Sequence, residues 1–364
     1  MTTATAEHDA ALDLGARNLL LGCAQARPGE SLLIVEEDSA LGYYGAGLAE
    51  AIAGTAASLG LSVRIAAVPF QPEIDELPTW LLADMAPAEH VLFLARLGDQ
   101  LRFQALPTGL RPIVSYVLDT AMLASPLGTC AYAGFVGLKT AIDRMFAAAH
   151  DIRITCERGT DLRGHVENAR PGADVSVRRF PMTVFSPIGT RHFTGRVAVA
   201  HCLAGTGARY YRPYGVRLQT TLSATIDGNR ITGWEGEPAD VARAKAQYRH
   251  VADRFGIDPD YVHSWHAGIH PGCAYSQPAY ENFERWSGGA FGNPRLLHFH
   301  TCGASAPGEI CWNILDPTIT VDGEAIWERG TIRTDRIAGA SDILAEHPAM
   351  EAVFAQPARY VGLD

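Results

Sequence analysis

The pattern of apolar residues changes near residue 150, and this change limits the fold more than any other feature of the chain. Before it, apolar runs of strand length, such as Ser31–Glu36 and Leu61–Val68, alternate with helical segments such as residues 43–59. Strands that alternate with helices tend to pair in parallel and to be covered on both faces. Residues 1–150 are therefore predicted to form an α/β N-terminal domain with a mostly parallel sheet.

After residue 150, strand-like alternation recurs at short intervals. Asp227-Gly228-Asn229 and Asp322-Gly323 each separate two strand-like segments, which is typical of a β-hairpin. A polar-faced helix is predicted over residues 237–255, where Pro238 suits the first turn. Residues 151–364 are predicted to form an α+β domain. A chain of 364 residues is also longer than most single domains, which agrees with a division into two domains.

Composition narrows the classes of partner and compartment. The net charge is −10 and basic runs are missing, which argues against nucleic acid or an anionic membrane as the main partner. The polar N-terminus lacks the apolar core of a signal peptide, and we expect no membrane span. The 7 cysteines are odd in number and include no C-x-x-C pair, so reduced thiols in a cytoplasmic protein are expected.

A glycine-rich segment, Gly42–Gly47, resembles a nucleotide-binding loop only superficially. Its glycines are not spaced as G-x-G-x-x-G, and no Lys-Ser or Lys-Thr pair of a phosphate loop follows. Small residues at this place are better explained by close packing of a helix.

Histidines gather in one part of the second half. Those between positions 263 and 300 are His263, His266, His270, His298 and His300. If residues 296–300 form a strand, His298 and His300 share one face, because side chains alternate. Together with His266 from a nearby segment they would form a three-point metal site with open positions, as catalysis requires. The alternative is a group of hydrogen-bonded core histidines.

Other polar residues near the histidines are candidates for catalysis. His270, before Pro271-Gly272, would carry protons if its imidazole titrates near neutral pH, and a purely structural role is the alternative. Glu309 and Asn313 would orient a ligand histidine, or would cap local backbone. Cys273 and Cys302 lie near the histidines in sequence, although such cysteines are more often small buried hydrophobes.

The segment between the two histidine groups has the composition of a substrate-binding loop. It contains glycines, which allow close approach of a ligand, and the aromatic residues Trp286 and Phe291, which can stack on a flat substrate. Arg285 and Asn293 are the candidate substrate-binding residues, since arginine can bind a carboxylate through two hydrogen bonds. A surface loop with turn glycines is the alternative.

The order of several segments resembles the aminopeptidase T family of metalloenzymes, and more closely its non-peptidase members, the 2,5-dihydroxypyridine 5,6-dioxygenases. The segments that carry this resemblance are Ile154–Asp161, Phe180–Pro187, Trp265–His270, Leu297–His300 and the hairpin at 318–327. The resemblance implies an α/β N-terminal domain, a metal-binding C-terminal domain and a homo-oligomer.

The resemblance also implies a particular set of metal ligands. In the aminopeptidases, one of the glutamates that hold two metals precedes a Val-Phe-x-x-Pro segment, and Thr183 stands at that place here. In the dioxygenases, a single iron is held by one histidine before a glycine and by a His-x-Asp pair. His266 and His298 match those histidines, while His300 replaces the aspartate. The resemblance thus favours a mononuclear site with three histidines.

Three functions remain open at this point. The first is a mononuclear non-haem iron dioxygenase that uses dioxygen on a small polar (hetero)aromatic acid or phenol. Fe(II) is the expected metal, with Zn or Mn as alternatives because three neutral imidazoles suit them too. By the resemblance, Arg179 would hold an anionic substrate, although the pair Arg178-Arg179 also suits a solvated strand face.

The second possible function is a metal-dependent hydrolase of a small amide, amine or ring substrate. The third is a non-catalytic binding protein.

Overall fold

A computed structural model describes residues 3–74, 76–103, 106, 110, 112–167, 176–305 and 307–363. The strands, in chain order, are β1 (Ser31–Glu37), β2 (Ser62–Val68), β3 (His90–Leu94), β4 (Ile113–Ser115), β5 (Ile152–Thr155), β6 (Asp161–Gly164), β7 (Arg178–Phe180), β8 (Ile188–Gly189), β9 (Phe193–Val199), β10 (Cys202–Gly205), β11 (Gly215–Arg217), β12 (Leu222–Asp227), β13 (Arg230–Glu235), β14 (Val262–Ala267), β15 (Leu296–Thr301), β16 (Ile310–Leu315), β17 (Thr318–Val321), β18 (Glu324–Glu328) and β19 (Thr331–Ile332). The α-helices are α1 (Thr3–Arg17), α2 (Leu48–Ser58), α3 (Thr79–Met85), α4 (Arg96–Gln100), α5 (Thr120–Ala124), α6 (Pro126–Thr129), α7 (Tyr132–Ala148), α8 (Pro238–Phe255), α9 (Phe283–Ala290), α10 (Ala340–Glu346) and α11 (Pro348–Ala355).

Contacts between residues divide the chain into two compact units. The first unit contains Met1–Val136, Val175–Met182 and His347–Pro357. The second contains Gly137–Asp174, Thr183–Glu346 and Ala358–Asp364. Each unit therefore includes segments that are distant in sequence, and the division into domains at residue 150 stays a prediction.

The first unit is built on a parallel sheet, as the alternating strands and helices predicted. Its described strands follow the order β2-β1-β3-β4-β7, and every pairing is parallel. In β1, Leu32 and Ile34 join one buried cluster while Leu33 and Val35 join another. Because successive side chains point to opposite faces, both faces of the sheet are covered by apolar residues. This explains why the central strand is an unbroken apolar run.

The second unit contains two antiparallel sheets among its described residues. The first sheet has the order β11-β10-β16-β15-β14-β8, and the second has the order β13-β12-β9-β6-β5-β17-β18-β19. Both predicted hairpins are present, since β12 pairs with β13 and β17 pairs with β18 across their Asp-Gly turns. The prediction of antiparallel strands after residue 150 is confirmed.

An aromatic core joins the two antiparallel sheets of the second unit. Trp265 of β14 and Trp327 of β18 both contact the rings of Phe146 and Phe185. A second contact links Trp312 of β16 to Trp234 of β13, with ring centroids 5.5 Å apart. Large buried aromatic rings contribute strongly to the free energy of folding. The face of the six-stranded sheet that carries Trp265 and Trp312 is thus its core face.

Two predicted elements differ in the structure. The helix predicted over residues 43–59 begins only at Leu48, because Gly47 before it adopts a positive φ of 81°, outside the helical region. Strand β7 falls within the α+β domain predicted for residues 151–364, but it pairs in parallel with β4 in the sheet of the first unit. In the described part of the chain, we find no helix that is both long and apolar enough to span a bilayer.

Candidate metal centre

Strand β15 places His298 and His300 on one face of the six-stranded sheet. All of its residues are buried, and Phe299 between the histidines packs on Trp312 of the core face. Since side chains alternate along a strand, His298 and His300 lie on the face opposite the aromatic core. The sequence Leu-Leu-His-Phe-His therefore directs apolar side chains and imidazoles to opposite sides of the sheet.

The neighbouring strand brings His266 to the same face. In the antiparallel pairing of β14 with β15, His266 lies opposite His298 and Ser264 lies opposite His300. Directly opposed residues of an antiparallel pair point to one face with Cβ atoms about 4.5–5.5 Å apart. Residues Val262–Ala267 form this strand, so His266 is presented from extended backbone.

The three imidazoles converge on one point. His266, His298 and His300 each offer a ring nitrogen, and these nitrogens all lie within 4.8 Å of one another. The ring centroids are 4.1 Å apart for His266 and His298 and 4.9 Å apart for His266 and His300. Each residue is at most 7% exposed. A buried triangle of nitrogen donors is chemically suited to Zn, Cu, Fe or Ni ions, and three protein ligands leave further coordination positions open.

Hydrogen bonds fix which nitrogen His266 and His300 present. Nδ1–H of His266 donates to the carbonyl of Phe185 over 2.9 Å, which leaves Nε2 with its lone pair. Nδ1 of His300 lies 3.2 Å from Oγ of Ser264, and that Oγ lies 2.8 Å from Nδ1 of His263. Burial lowers the pKa of His263, so its neutral ring can accept from the Ser264 hydroxyl while Ser264 accepts from His300. Both ligand histidines are oriented from outside the donor triangle.

Ring packing restrains the third histidine. The ring of Phe291 lies on His298 with centroids 4.5 Å apart and planes at 30°, and Trp286 packs edge-on against Phe291 at 5.1 Å. The two aromatic residues that the sequence indicated as stacking platforms thus form a wall beside the donor triangle. In the structure they pack against a histidine ring.

Asn313 lies in the row of side chains that His266 and His298 form across neighbouring strands. It lies opposite His298 on β16 and is 1% exposed. Neither Oδ1 nor Nδ2 of its amide has a hydrogen-bond partner among the described residues. A buried amide without partners costs about 1–3 kcal/mol, so such groups are usually satisfied by a bound molecule or ion. Neither role considered from the sequence, orientation of a ligand histidine or a backbone cap, has a hydrogen bond to support it here.

Glu309 and Asn293, two of the other candidate site residues, are engaged elsewhere in the second unit. Glu309 is buried, its carboxylate lies 3.5 Å from Arg209, and it is not part of the donor triangle. Nδ2 of Asn293 donates to the carbonyls of Cys273 and Ala358, and its Oδ1 accepts from the backbone N–H of Arg295. The substrate-binding role of Asn293 stays a prediction, with both amide hydrogens already used.

The remaining candidates occupy different surroundings. Arg285 lies half-buried on α9, where its backbone N–H donates to the Asn282 side chain. Arg179 is buried on β7 of the first unit. Neither placement by itself tests the predicted contacts with a substrate.

His270 does not titrate near neutral pH as expected from the sequence. It is fully buried, and burial lowers its pKa to about 3. Its Nδ1 accepts a hydrogen bond from the backbone N–H of Gly272, which is typical of a neutral structural imidazole. Its predicted role as proton carrier therefore lacks the near-neutral pKa on which it was based.

The cysteines near the histidines are inert thiols. Burial raises the pKa of Cys273 and of Cys302 to about 12 in each case, so both remain protonated. Their Sγ–H groups donate to backbone carbonyls, that of Cys273 to Gly289 and that of Cys302 to Tyr248. Both fit the alternative of small buried hydrophobes.

Ser264 is a neighbour of the donor triangle that the sequence did not single out. It lies two positions before His266, on the same face of β14, and its hydroxyl bridges His300 and His263. The signal that would have identified it is this spacing, because positions i and i+2 share a face of a strand.

Comparisons with known proteins show that this chain is similar in fold to solved structures. No family model matches the sequence, and no curated protein matches it. Among solved structures, the chain is similar to 2,5-dihydroxypyridine dioxygenase from Pseudomonas putida KT2440, with a TM-score of 0.57 and 14% identity over 89% of this chain and 97% of that chain. It is also similar to AmpT from Thermus thermophilus, with a TM-score of 0.49 and 13% identity over 88% of this chain and 98% of that chain. The resemblance seen in the sequence is confirmed at the level of fold.

Proposed function

We propose that this protein is a metal-dependent oxidoreductase, a mononuclear non-haem iron dioxygenase that acts on a small polar (hetero)aromatic acid or phenol. The observation that carries the proposal is the buried triangle of His266, His298 and His300 on the polar face of the sheet. Support for dioxygenase chemistry comes from the fold, which is similar to that of 2,5-dihydroxypyridine dioxygenase.

The residues of the site fit a divalent metal ion. Three neutral imidazoles would hold the ion, and the hydrogen bonds of His266 and His300 favour Nε2 as the donor atom in each. The amide of Asn313, without partners among the described residues, fits a polar molecule bound beside His298. Fe(II), when bound, would supply the redox chemistry that joins dioxygen to an organic substrate.

The chain's own residues would bind and orient the substrate. Asn313 would donate from Nδ2 to an oxygen of the substrate and accept at Oδ1. Phe291 and Trp286 would exclude water from one side of the histidines, because their rings form a packed wall there. Arg179 and Arg285 are retained as candidates for an anionic group of the substrate. A homo-oligomer is part of the proposal, because the resemblance implies one.

A metal-dependent hydrolase is the second candidate. The observation in its favour is the donor set, since the group contains three imidazoles and no carboxylate. Three histidines also hold the zinc of a hydrolytic site, where bound water becomes a nucleophile at neutral pH.

Oxygen consumption distinguishes the two candidates. The protein, loaded with Fe(II) under nitrogen, would be offered hydroxylated pyridines and hydroxybenzoates in an oxygen electrode. We expect substrate-dependent oxygen uptake that His298→Ala abolishes and that His8→Ala, an exposed control on α1, leaves intact. If the protein turns over a substrate without oxygen, and zinc restores this activity to metal-free protein, the hydrolase is the correct proposal and the dioxygenase is wrong.

A further inference from the structure

A cavity lies in the second unit, at the edge of the six-stranded sheet where β10 and β11 run. Its volume is about 730 Å³, and none of the three histidines lines it. It is formed by the end of β11, the segment 275–283 and the C-terminal residues 360–363. Small-molecule sites usually occupy about 300–1,000 Å³, so the cavity has the size of a binding site.

The charged side chains that line this cavity are both arginines. Arg158 and Arg217 line it, and no aspartate or glutamate is among its lining residues. Neither guanidinium has a carboxylate within 4.0 Å in the described part of the chain. Two arginines without carboxylate partners favour an anionic ligand.

Two exposed tyrosine rings line the cavity together with the arginines. Tyr280 and Tyr360 line the cavity and are 54% and 70% exposed, which is unusual for large rings. The guanidinium carbon of Arg217 lies 4.6 Å from the centre of the Tyr280 ring. Stacking on a ring holds the guanidinium by its face and leaves its N–H edge available for a carboxylate or phosphate. Arg217 is therefore restrained in a geometry that suits recognition of an anion.

The backbone around the cavity is held by hydrogen bonds. The backbone N–H of Tyr275 donates to the carbonyl of Tyr360, and that of Ala279 donates to the carbonyl of Gly362, each over 2.8 Å. Nε1–H of Trp286 donates to the carbonyl of Val361 over 2.7 Å. His201, which lines the cavity, adopts a φ of 64°, a conformation that non-glycine residues rarely adopt and that is enriched at functional sites. A wall fixed in this way reduces the entropy that binding must overcome.

We propose that this cavity binds a small molecule that contains an aromatic ring and an anionic group. Arg217, stacked on Tyr280, would bind the carboxylate or phosphate, with Arg158 as the second cation. The ring would pack on the exposed faces of Tyr280 and Tyr360. The histidines lie on β14 and β15, whereas the cavity lies along β10 and β11. None of the three histidines lines the cavity, and β10 lies two strand spacings of about 4.8 Å from β15, so the cavity lies beside the histidines in the sheet and does not include them.

The test uses the purified full chain and calorimetric titration with four probes. Pyridine-2,5-dicarboxylate and adenosine 5′-monophosphate are aromatic anions that carry a carboxylate and a phosphate, respectively. Benzamide has a ring without charge, and cyclohexanecarboxylate has a charge without an aromatic ring. We expect at least one aromatic anion to bind more tightly than both controls, and the comparison of the two anions identifies which acid group the site accepts.

Variants locate the binding. Arg217→Gln is expected to raise Kd about 10-fold or more, since it removes hydrogen bonds to a charged group. Tyr280→Leu is expected to weaken binding of the aromatic anion more than that of cyclohexanecarboxylate. Arg249→Gln, an exposed arginine of α8 outside the cavity, is the matched control and should leave Kd unchanged. His298→Ala should also leave Kd unchanged, which separates this site from the proposed metal centre.

Several outcomes would overturn the proposal. Failure of both aromatic anions to bind at millimolar concentration, or equal binding of benzamide, would remove the evidence for an anion site. Binding that is lost in His298→Ala but kept in Arg217→Gln would place the ligand at the histidines. If sedimentation shows that Arg217→Glu dissociates an oligomer and no probe binds, the cavity is covered by a second copy of this chain.

Discussion

Asn313 allows a direct test of whether the histidine face is built to hold a bound molecule. Its amide is 1% exposed and lacks hydrogen-bond partners among the described residues. Leucine has nearly the same shape, so Asn313→Leu removes an unsatisfied amide without a large cavity. Since such a buried group costs about 1–3 kcal/mol, the free energy of unfolding of the metal-free variant should be unchanged or higher by up to this amount.

Asn293 is a matched control, because it is also 1% exposed but has a fully bonded amide. Asn293→Leu removes three hydrogen bonds of about 1 kcal/mol each, so the free energy of unfolding should fall by about 3 kcal/mol. Both values would be measured by urea denaturation of metal-free protein, with equal slopes required for the comparison.

Asn313→Leu should also reduce the binding of small ligands at the proposed metal centre. In Co(II)-loaded protein, Asn313→Leu should weaken azide binding about 5- to 10-fold, as expected for the loss of one hydrogen bond to a bound anion. The visible spectrum of Co(II) would report the azide affinity. Destabilisation by Asn313→Leu as large as that by Asn293→Leu, together with unchanged azide affinity, would refute the idea that this amide awaits a bound molecule.

Two further predictions concern the buried side chains of His270 and Ser264. The pKa of His270 is lowered to about 3 in the folded protein, so its neutral ring stabilises the fold above about pH 6.5, and this contribution is lost progressively as pH falls toward 3. Between pH 7.5 and 4.5 the wild-type protein should lose roughly 2–3 kcal/mol more stability than His270→Phe, as urea denaturation at each pH would measure. Parallel losses would contradict the burial of a neutral imidazole. Ser264→Ala removes the hydroxyl that orients His300 and should lower metal affinity about 10- to 100-fold in a chelator competition, whereas Ser223→Ala on β12 should not.

Local sequence patterns correctly predicted the elements whose structure depends on residues that are close in the sequence. Alternation in Leu-Leu-His-Phe-His placed His298 and His300 on one face, and the Asp-Gly turns at 227 and 322 marked two hairpins. The apolar run of β1 indicated a parallel sheet covered on both faces.

Pairings between distant segments could not be predicted in this way. Strand β7 joins the parallel sheet beside β4, although more than 60 residues separate them in the chain. The bridge from Ser264 to His300 and the position of Asn313 opposite His298 depend on the register between strands. A register is set by packing of the whole sheet, and one sequence does not record which residues come to lie opposite each other.

The near-neutral titration expected for His270 was wrong for a related reason. The expectation took the pKa of an unperturbed imidazole, but the ring is fully buried and its pKa is lowered. Burial of a single side chain depends on segments that pack over it, which local sequence does not show.

The metal content of the protein, purified under nitrogen and reconstituted with Fe(II), tests the central claim most directly. We expect about one ion per chain in the wild-type protein and in His8→Ala. In His298→Ala we expect a large loss of bound metal, while circular dichroism shows that the fold is retained. The donor triangle of His266, His298 and His300 requires this result, because two imidazoles alone bind divalent metals much more weakly. A wild-type protein that binds no iron, zinc or manganese, or a His298→Ala variant that binds as much as the wild type, would show that the three histidines are core residues.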